Sequence, residues 1–355
     1  MRWAADYSSN RALIADSAPG MGLLVDVAAR LQRQTETSQI AWNASARAQR
    51  YSGESYADSD DYAFDLEFQR EYERRALDLV VYKRAQSTLL SELESSGLIQ
   101  ADARRSERGA NAALAIDLGE RLQASLAVAS SHVDYSGRNA ALFPGYRYTV
   151  LEASTSYAVG PRTTLFANTT LGDLGVPGFA YSTIDTGANV GIIRNLTERL
   201  QAELAGGYSR TRSAGRSEAG WTARTVIEGR TQRASWLIGY EQAVQPSGLG
   251  TLVRRSITRG QYAIDWSPRL RFVLAGRRTR NDSILSSNVG ERRQVEDTEV
   301  RLEWRLGRAW SAGARWGLAR AGGRADALVT TDEIFTGWRT GIIVSWNPDP
   351  RQISP

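Results

Sequence analysis

Leu270-Arg271-Phe272-Val273-Leu274-Ala275-Gly276-Arg277 decides the fold. In an extended chain, Leu270, Phe272 and Leu274 fall on one face, and Arg271, Val273, Ala275 and Arg277 on the other. Further on, Val300, Leu302, Trp304 and Leu306 alternate with Glu299, Arg301, Glu303 and Arg305. Upstream, Tyr62, Phe64, Leu66 and Phe68 stand against Asp61, Asp65, Glu67 and Glu71. A period of two sustained this long reads as strand and not helix. Strands of a soluble sandwich alternate too, but they usually run about 5 to 6 residues.

The pattern repeats along the chain. GPRTTLFA at Gly160, TERLQAEL at Thr197 and GRAWSAGA at Gly307 resemble GERLQASL at Gly119 and SPRLRFVL at Ser267. Each is a turn signal followed by alternation. The spacing fits two strands of roughly 10 or more residues plus two connections, the hairpin unit of a transmembrane barrel. Eight short connections, among them Glu73–Arg74, Gly160–Pro161 and Ser267–Pro268, alternate with nine longer polar ones, among them 212–219 and 246–250. The expectation is an all-β, antiparallel up-and-down transmembrane barrel of about eighteen strands without a plug domain. It spans residues 1–346, with short periplasmic turns, modest external loops and a periplasmic tail at 347–355. If the first run, Trp3 to Ser8, and its hairpin are lost, the count is sixteen.

Composition agrees. The 355 residues carry a net charge of +5 and are 42% hydrophobic, with a mean hydropathy of −0.39. Alternate residues facing lipid produce such an average, and no run approaches the roughly 20 apolar residues of a membrane helix. The absence of cysteine excludes disulfides, thiolate catalysis and Cys-bound metal. The charge is too balanced for nucleic-acid binding. Met1-Arg2-Trp3 leads into no apolar signal core, so the chain reads as a mature protein whose signal has been removed, destined for the outer membrane of a Gram-negative bacterium.

Aromatics collect where the strands end. Trp42, Trp236, Trp266, Trp304, Trp310 and Trp346 lie near the short turns or the C-terminus; Tyr135, Tyr146, Tyr148, Tyr181, Tyr208, Trp221, Phe335 and Trp338 lie near the long loops. Such rings favour the headgroup level on both sides of a membrane.

Parity points Arg224, Arg255, Arg259, Arg271, Arg277, Arg293, Arg301, Arg305, Arg315 and Arg339 into the lumen, with Asp65, Glu67 and Glu71 on an acidic strand. Opposed rows of charge set up a transverse field that screens solutes and would give anion preference; the competing reading is simple cross-strand pairing. Small inward residues (Gly207, Ser235, Gly239, Ala263, Ala275, Gly313, Gly317 and Gly341) favour an open channel. No loop is long enough to fold inward, so a wide or side-chain-gated pore, suited to a bulky polymer, is expected. The only histidine, His132, sits between Ser130 and Asp134 on one outward face. Their spacing of about 7 Å is too long for a catalytic relay, and His132→Ala should leave function intact. No enzyme activity, metal or cofactor is expected.

The last strand, Arg339-Thr340-Gly341-Ile342-Ile343-Val344-Ser345-Trp346, resembles the C-terminal assembly signal of outer-membrane barrels, matching at Arg339, Gly341, Val344 and Trp346. The hairpin units, GGYSRTRS from Gly206, and the aromatic and acidic strand Asp60 to Tyr72 together resemble porins encoded with exopolysaccharide biosynthesis genes. That resemblance implies secretion of a polysaccharide to the cell surface. It also implies, as partners, the polysaccharide itself, the barrel assembly machinery, outer-membrane lipid with lipopolysaccharide, and a separate periplasmic polysaccharide-export protein. A diffusion porin for small solutes and a structural or adhesive barrel are the alternatives.

Overall fold

The computed structural model describes residues 1–9, 19–52, 58–88, 103–137, 140–178, 182–284, 292–324 and 334–347. The expected tail beyond Asn347, and Tyr181, lie outside them. The strands are β1 (Arg2–Ser8), β2 (Gly20–Gln34), β3 (Ser38–Tyr51), β4 (Ser59–Tyr72), β5 (Arg75–Ser87) and β6 (Ala103–Asp117). Next come β7 (Leu122–Gly137), β8 (Tyr146–Gly160), β9 (Thr163–Gly175), β10 (Thr183–Thr197), β11 (Leu200–Ser213) and β12 (Arg216–Arg230). The last six are β13 (Ala234–Pro246), β14 (Leu252–Asp265), β15 (Leu270–Ser283), β16 (Arg292–Arg305), β17 (Trp310–Arg324) and β18 (Ile334–Trp346). Each pairs antiparallel with its neighbours in sequence, and β1 pairs with both β2 and β18. The result is a closed up-and-down barrel of eighteen strands with no free edge. The first strand, on which the count turned, closes it. Its ammonium group donates to the Trp346 carbonyl at 2.8 Å.

The alternating sequence fixes which face is which. Leu126, Leu151, Leu165, Val190, Leu204, Ile238 and Ile342 are exposed on the outer face, whereas ion pairs such as Arg224–Glu203 and Arg301–Glu299 lie on the inner one. Closure leaves no backbone donor row open to lipid, as a spanning sheet requires. At the short-turn end Trp3 stacks on Trp310 with centroids 6.1 Å apart, and Trp310 meets Trp346 at 6.4 Å. This aromatic patch covers the closing seam.

Two expected loops differ. The connection placed at 212–219 is a two-residue turn. Ala214 (φ 48°) and Gly215 (φ 78°) both adopt positive φ, the conformation that matches the twist of a tight hairpin, and pairing runs on to Ser213 and Arg216. The connection expected at 246–250 joins β13 at Pro246 to β14 at Leu252, but it does not stay on the rim.

Candidate functional site

The tip of the β13–β14 hairpin lies across the long-loop end of the lumen. Pairing between β12 and β13 stops at Ala223 and Gln242, so the last turn of β13 leaves the wall. Leu252, at the start of β14, packs with Val133, Tyr146 and Leu174 in a buried cluster, backed by Tyr135, Tyr148, Val176 and Val244. Apart from Val244 of β13 itself, those partners belong to β7, β8, β9 and the connection after β9, several strands away around the ring. Gly250, at φ 67°, comes close to Pro144 and Val176. Inside the tip Ser247 and Thr251 share a hydroxyl bond of 3.0 Å. Arg255 reaches back to the Gln245 Oε1 (2.7 Å) and the Asn281 Oδ1 (3.1 Å).

This overturns two expectations. A short loop does fold inward, because the strands carrying it bend with it; loop length alone was the wrong criterion. Tyr135, Tyr146 and Tyr148 are not girdle residues: register turns them to the inner face, where they seat the hairpin. Phe335 also points inward. Tyr208, Trp221 and Trp338 remain exposed outside.

Register places all thirteen expected lumen residues on the inner face: Arg224, Arg255, Arg259, Arg271, Arg277, Arg293, Arg301, Arg305, Arg315, Arg339, Asp65, Glu67 and Glu71. Many are paired. Arg224 bridges Glu203 (2.8 Å) and Glu241 (3.5 Å). Arg301 lies between Glu299 (2.5 Å) and Glu303 (3.3 Å), and Arg339 reaches Asp297 (3.3 Å) and Glu299 (3.4 Å). Asp65 accepts from Arg84 at 3.0 Å and Glu67 from Asn43 at 3.1 Å. Arg315 and Asp6 form a buried pair at 2.9 Å across β18. Arg259 and Arg305 are exposed to the lumen, and their side chains have no hydrogen-bond or ion-pair partner among the described residues.

The charges are segregated. On β14 to β18 and β1 the inward arginines outnumber inward carboxylates. Around the rest of the wall carboxylates dominate, including Asp26, Asp65, Glu67, Asp78, Glu152, Asp185, Glu203 and Glu241. Asp26 and the last five share the inward parity of Asp65 and Glu67, a signal the alternation carries once the turns are fixed. Between the β8–β12 wall and the inward hairpin lies a chamber of about 630 Å³ bordered by Tyr148, Glu152, Phe166, Asn168, Asp185, Asn189, Glu203, Arg224 and Glu241.

Three of the small inward residues do not leave open space. The Arg259 side chain lies over Gly239, that of Arg339 over Gly317, and the Asp6 side chain beside Gly341. Glycine here lets a neighbouring strand's side chain lie flat on the wall; it does not by itself widen the channel.

His132 faces outward near the long-loop end. Its Nε2 meets the Asp134 Oδ2 at 3.1 Å, closer than their backbone spacing suggested, because the two side chains lean together. Ser130 instead shares a 3.1 Å hydroxyl bond with Thr149, so no nucleophile is coupled to the imidazole. Among the described residues no cluster of metal-ligating side chains occurs.

No protein-family model matches the chain, and no curated protein matches it. Solved structures do. The apoprotein form of the FrpB iron transporter from Neisseria meningitidis (F5-1 variant) aligns over 98% of this chain and 73% of its own, at 11% identity and a TM-score of 0.52. The F3-3 variant of the same transporter aligns over 98% and 74%, at 10% identity and a TM-score of 0.50. Pseudomonas aeruginosa OpdQ aligns over 97% and 96%, at 11% identity and a TM-score of 0.49. At these identities the likeness is one of fold: this chain shares the architecture of outer-membrane transport barrels.

Proposed function

We propose that this protein is a constricted, water-filled pore of the outer membrane that passes hydrophilic solutes, with both chain ends and the short turns in the periplasm. The observation that carries the reading is the β13–β14 tip seated across the mouth by Leu252. An eighteen-strand barrel is wide enough for an aqueous channel, and the tip narrows it where basic and acidic walls face each other. A polar passage with a transverse field sorts solutes by size and charge. Small hydrophilic solutes fit it better than a bulky polymer.

Export of a polysaccharide is the second reading. The chamber beside the hairpin favours it: Tyr148 and Phe166 offer ring faces, and Asn168, Asn189, Glu152 and Glu203 offer hydrogen-bonding groups, the lining that sugars take. A single sugar chain would pass there with the tip docked or displaced.

The unpaired Arg259 and Arg305 supply the cationic side of the field. Replacing both with glutamate should raise the cation-to-anion permeability ratio, read from reversal potentials in a KCl gradient. A charge within 4 Å of the ion path in water is worth about 1 kcal/mol, or about fivefold. An unchanged ratio would remove the transverse field from this account.

A further inference from the structure

On the outer face of β5 to β8, near the long-loop end, four basic side chains stand in one cross-strand row. Lys83 is directly opposite Arg108, Arg108 opposite His132, and His132 opposite Arg147. Register gives all four the parity of the exposed apolar residues Val81, Leu114, Leu126, Val128 and Leu151 on the same strands. Directly opposed side chains lie about 5 Å apart, and like charges so placed repel. Lys83, Arg108 and Arg147 are exposed, and their side chains have no hydrogen-bond or ion-pair partner among the described residues. Asp134 engages His132, Asp173 stands one outward pair along from Arg147 without an ion pair to it, and Arg104 is held over the Tyr62 ring at 5.1 Å.

Three outward arginines elsewhere at this end meet carboxylates, while Arg210 and Arg212 on β11 do not. Arg50 meets Asp60 at 2.8 Å, Arg278 meets Glu296 at 3.4 Å, and Arg280 meets Asp282 at 3.1 Å. The β5–β8 row thus opposes cations of which Lys83, Arg108 and Arg147 form no ion pair among the described residues. It lies directly beyond an apolar strip that faces lipid tails. A ligand that complements both must carry anionic groups joined to acyl chains.

We propose that this row binds the phosphates of an acylated glycolipid in the outer leaflet, with its acyl chains on the leucine and valine strip below. Arginine pairs with phosphate through two parallel donors, and lysine adds a point charge. Three strands contribute the fixed cations, so the site exists only when β5 to β8 are correctly paired; the lipid would brace that part of the wall. The proposal rests on the outer-membrane reading above and on the long loops facing the outside.

Native mass spectrometry of the full-length protein in detergent tests it, with bisphosphorylated lipid A as the probe. The wild-type protein should retain this lipid and retain its fully dephosphorylated form far less. Arg108→Ala with Arg147→Ala should lower the bound fraction about tenfold or more, since each lost charged contact is worth about a factor of ten. Arg147→Ala alone, at the end of the row, should lower it several-fold. Arg33→Ala, outward at the opposite end, should leave it unchanged. Folding of each variant is checked by heat-modifiable gel mobility. Equal retention of the dephosphorylated lipid, unchanged retention by the double variant, or displacement by millimolar inorganic phosphate alone would each overturn the proposal. Conductance separates the two readings: a protein that conducts without retaining lipid refutes the lipid site only, and one that retains lipid without conducting refutes the pore only.

Discussion

Leu252→Glu raises the single-channel conductance several-fold. Leu252 is almost fully buried, at 2% exposure, in the cluster that seats the hairpin tip. Burying a leucine is worth about 1.5 to 3 kcal/mol, and placing a carboxylate among Val133, Tyr146 and Leu174 adds a desolvation penalty on top. Losing about 2.8 kcal/mol alone shifts a docked tip toward release by about a hundredfold. The wall is untouched, because β13 and β14 remain paired from Ala234 to Pro246. Thr251→Glu is the control: Thr251 is exposed at the same tip, so it adds the charge without the burial and should stay near the wild-type value. If Leu252→Glu conducts like the wild type, the hairpin is not what narrows the pore.

Gly341→Val prevents barrel closure. Gly341 sits on β18 between Arg315 of β17 and Asp6 of β1, and the ion pair of those two residues crosses it. A Cβ there would come within 2.6 Å of the Ala5 carbonyl oxygen and 2.8 Å of the Asp6 Cβ. Backbone on the closing strand has to move, and overpacking of this kind costs about 1 to 3 kcal/mol. Displacing Arg315 also leaves the Asp6 carboxylate, only 3% exposed on its side chain, without its partner, at a cost of about 3 to 5 kcal/mol. The expected result is loss of the heat-modifiable, folded form both in cells and on refolding into detergent. A role for Gly341 confined to recognition by the assembly machinery, with Val344 and Trp346, predicts a defect in cells alone.

Strand parity made most of the architecture readable. Wherever an apolar residue such as Phe272 or Leu302 alternates with a charge, the membrane band itself writes the pattern. The two-residue turn at Ala214–Gly215 was hidden because beyond that band both faces are wet: Arg210, Thr211, Arg212 and Ser213 carry no alternation to read. The inward hairpin was missed for a different reason. Its length is ordinary, and the contact that defines it joins Leu252 to residues more than 75 positions away. One signal was present. Tyr146 and Tyr148 share the parity of Glu152, so they face inward, and buried rings at a wet mouth need an apolar partner. Parity and register put the same arginines on the inner face, but which of them are neutralised depends on cross-strand neighbours such as Glu203 and Asp297, which only the register supplies.

The central claim is that a water-filled passage runs through this barrel and narrows at the β13–β14 tip. Swelling of liposomes carrying the pure protein, in a series of sugars from monosaccharide to long maltodextrin, tests it most directly. The account predicts rapid swelling with monosaccharides and a steep decline with size, whereas a polymer conduit would admit the longer chains with little decline. No swelling in the smallest sugar, for either the wild type or Leu252→Glu, would contradict it.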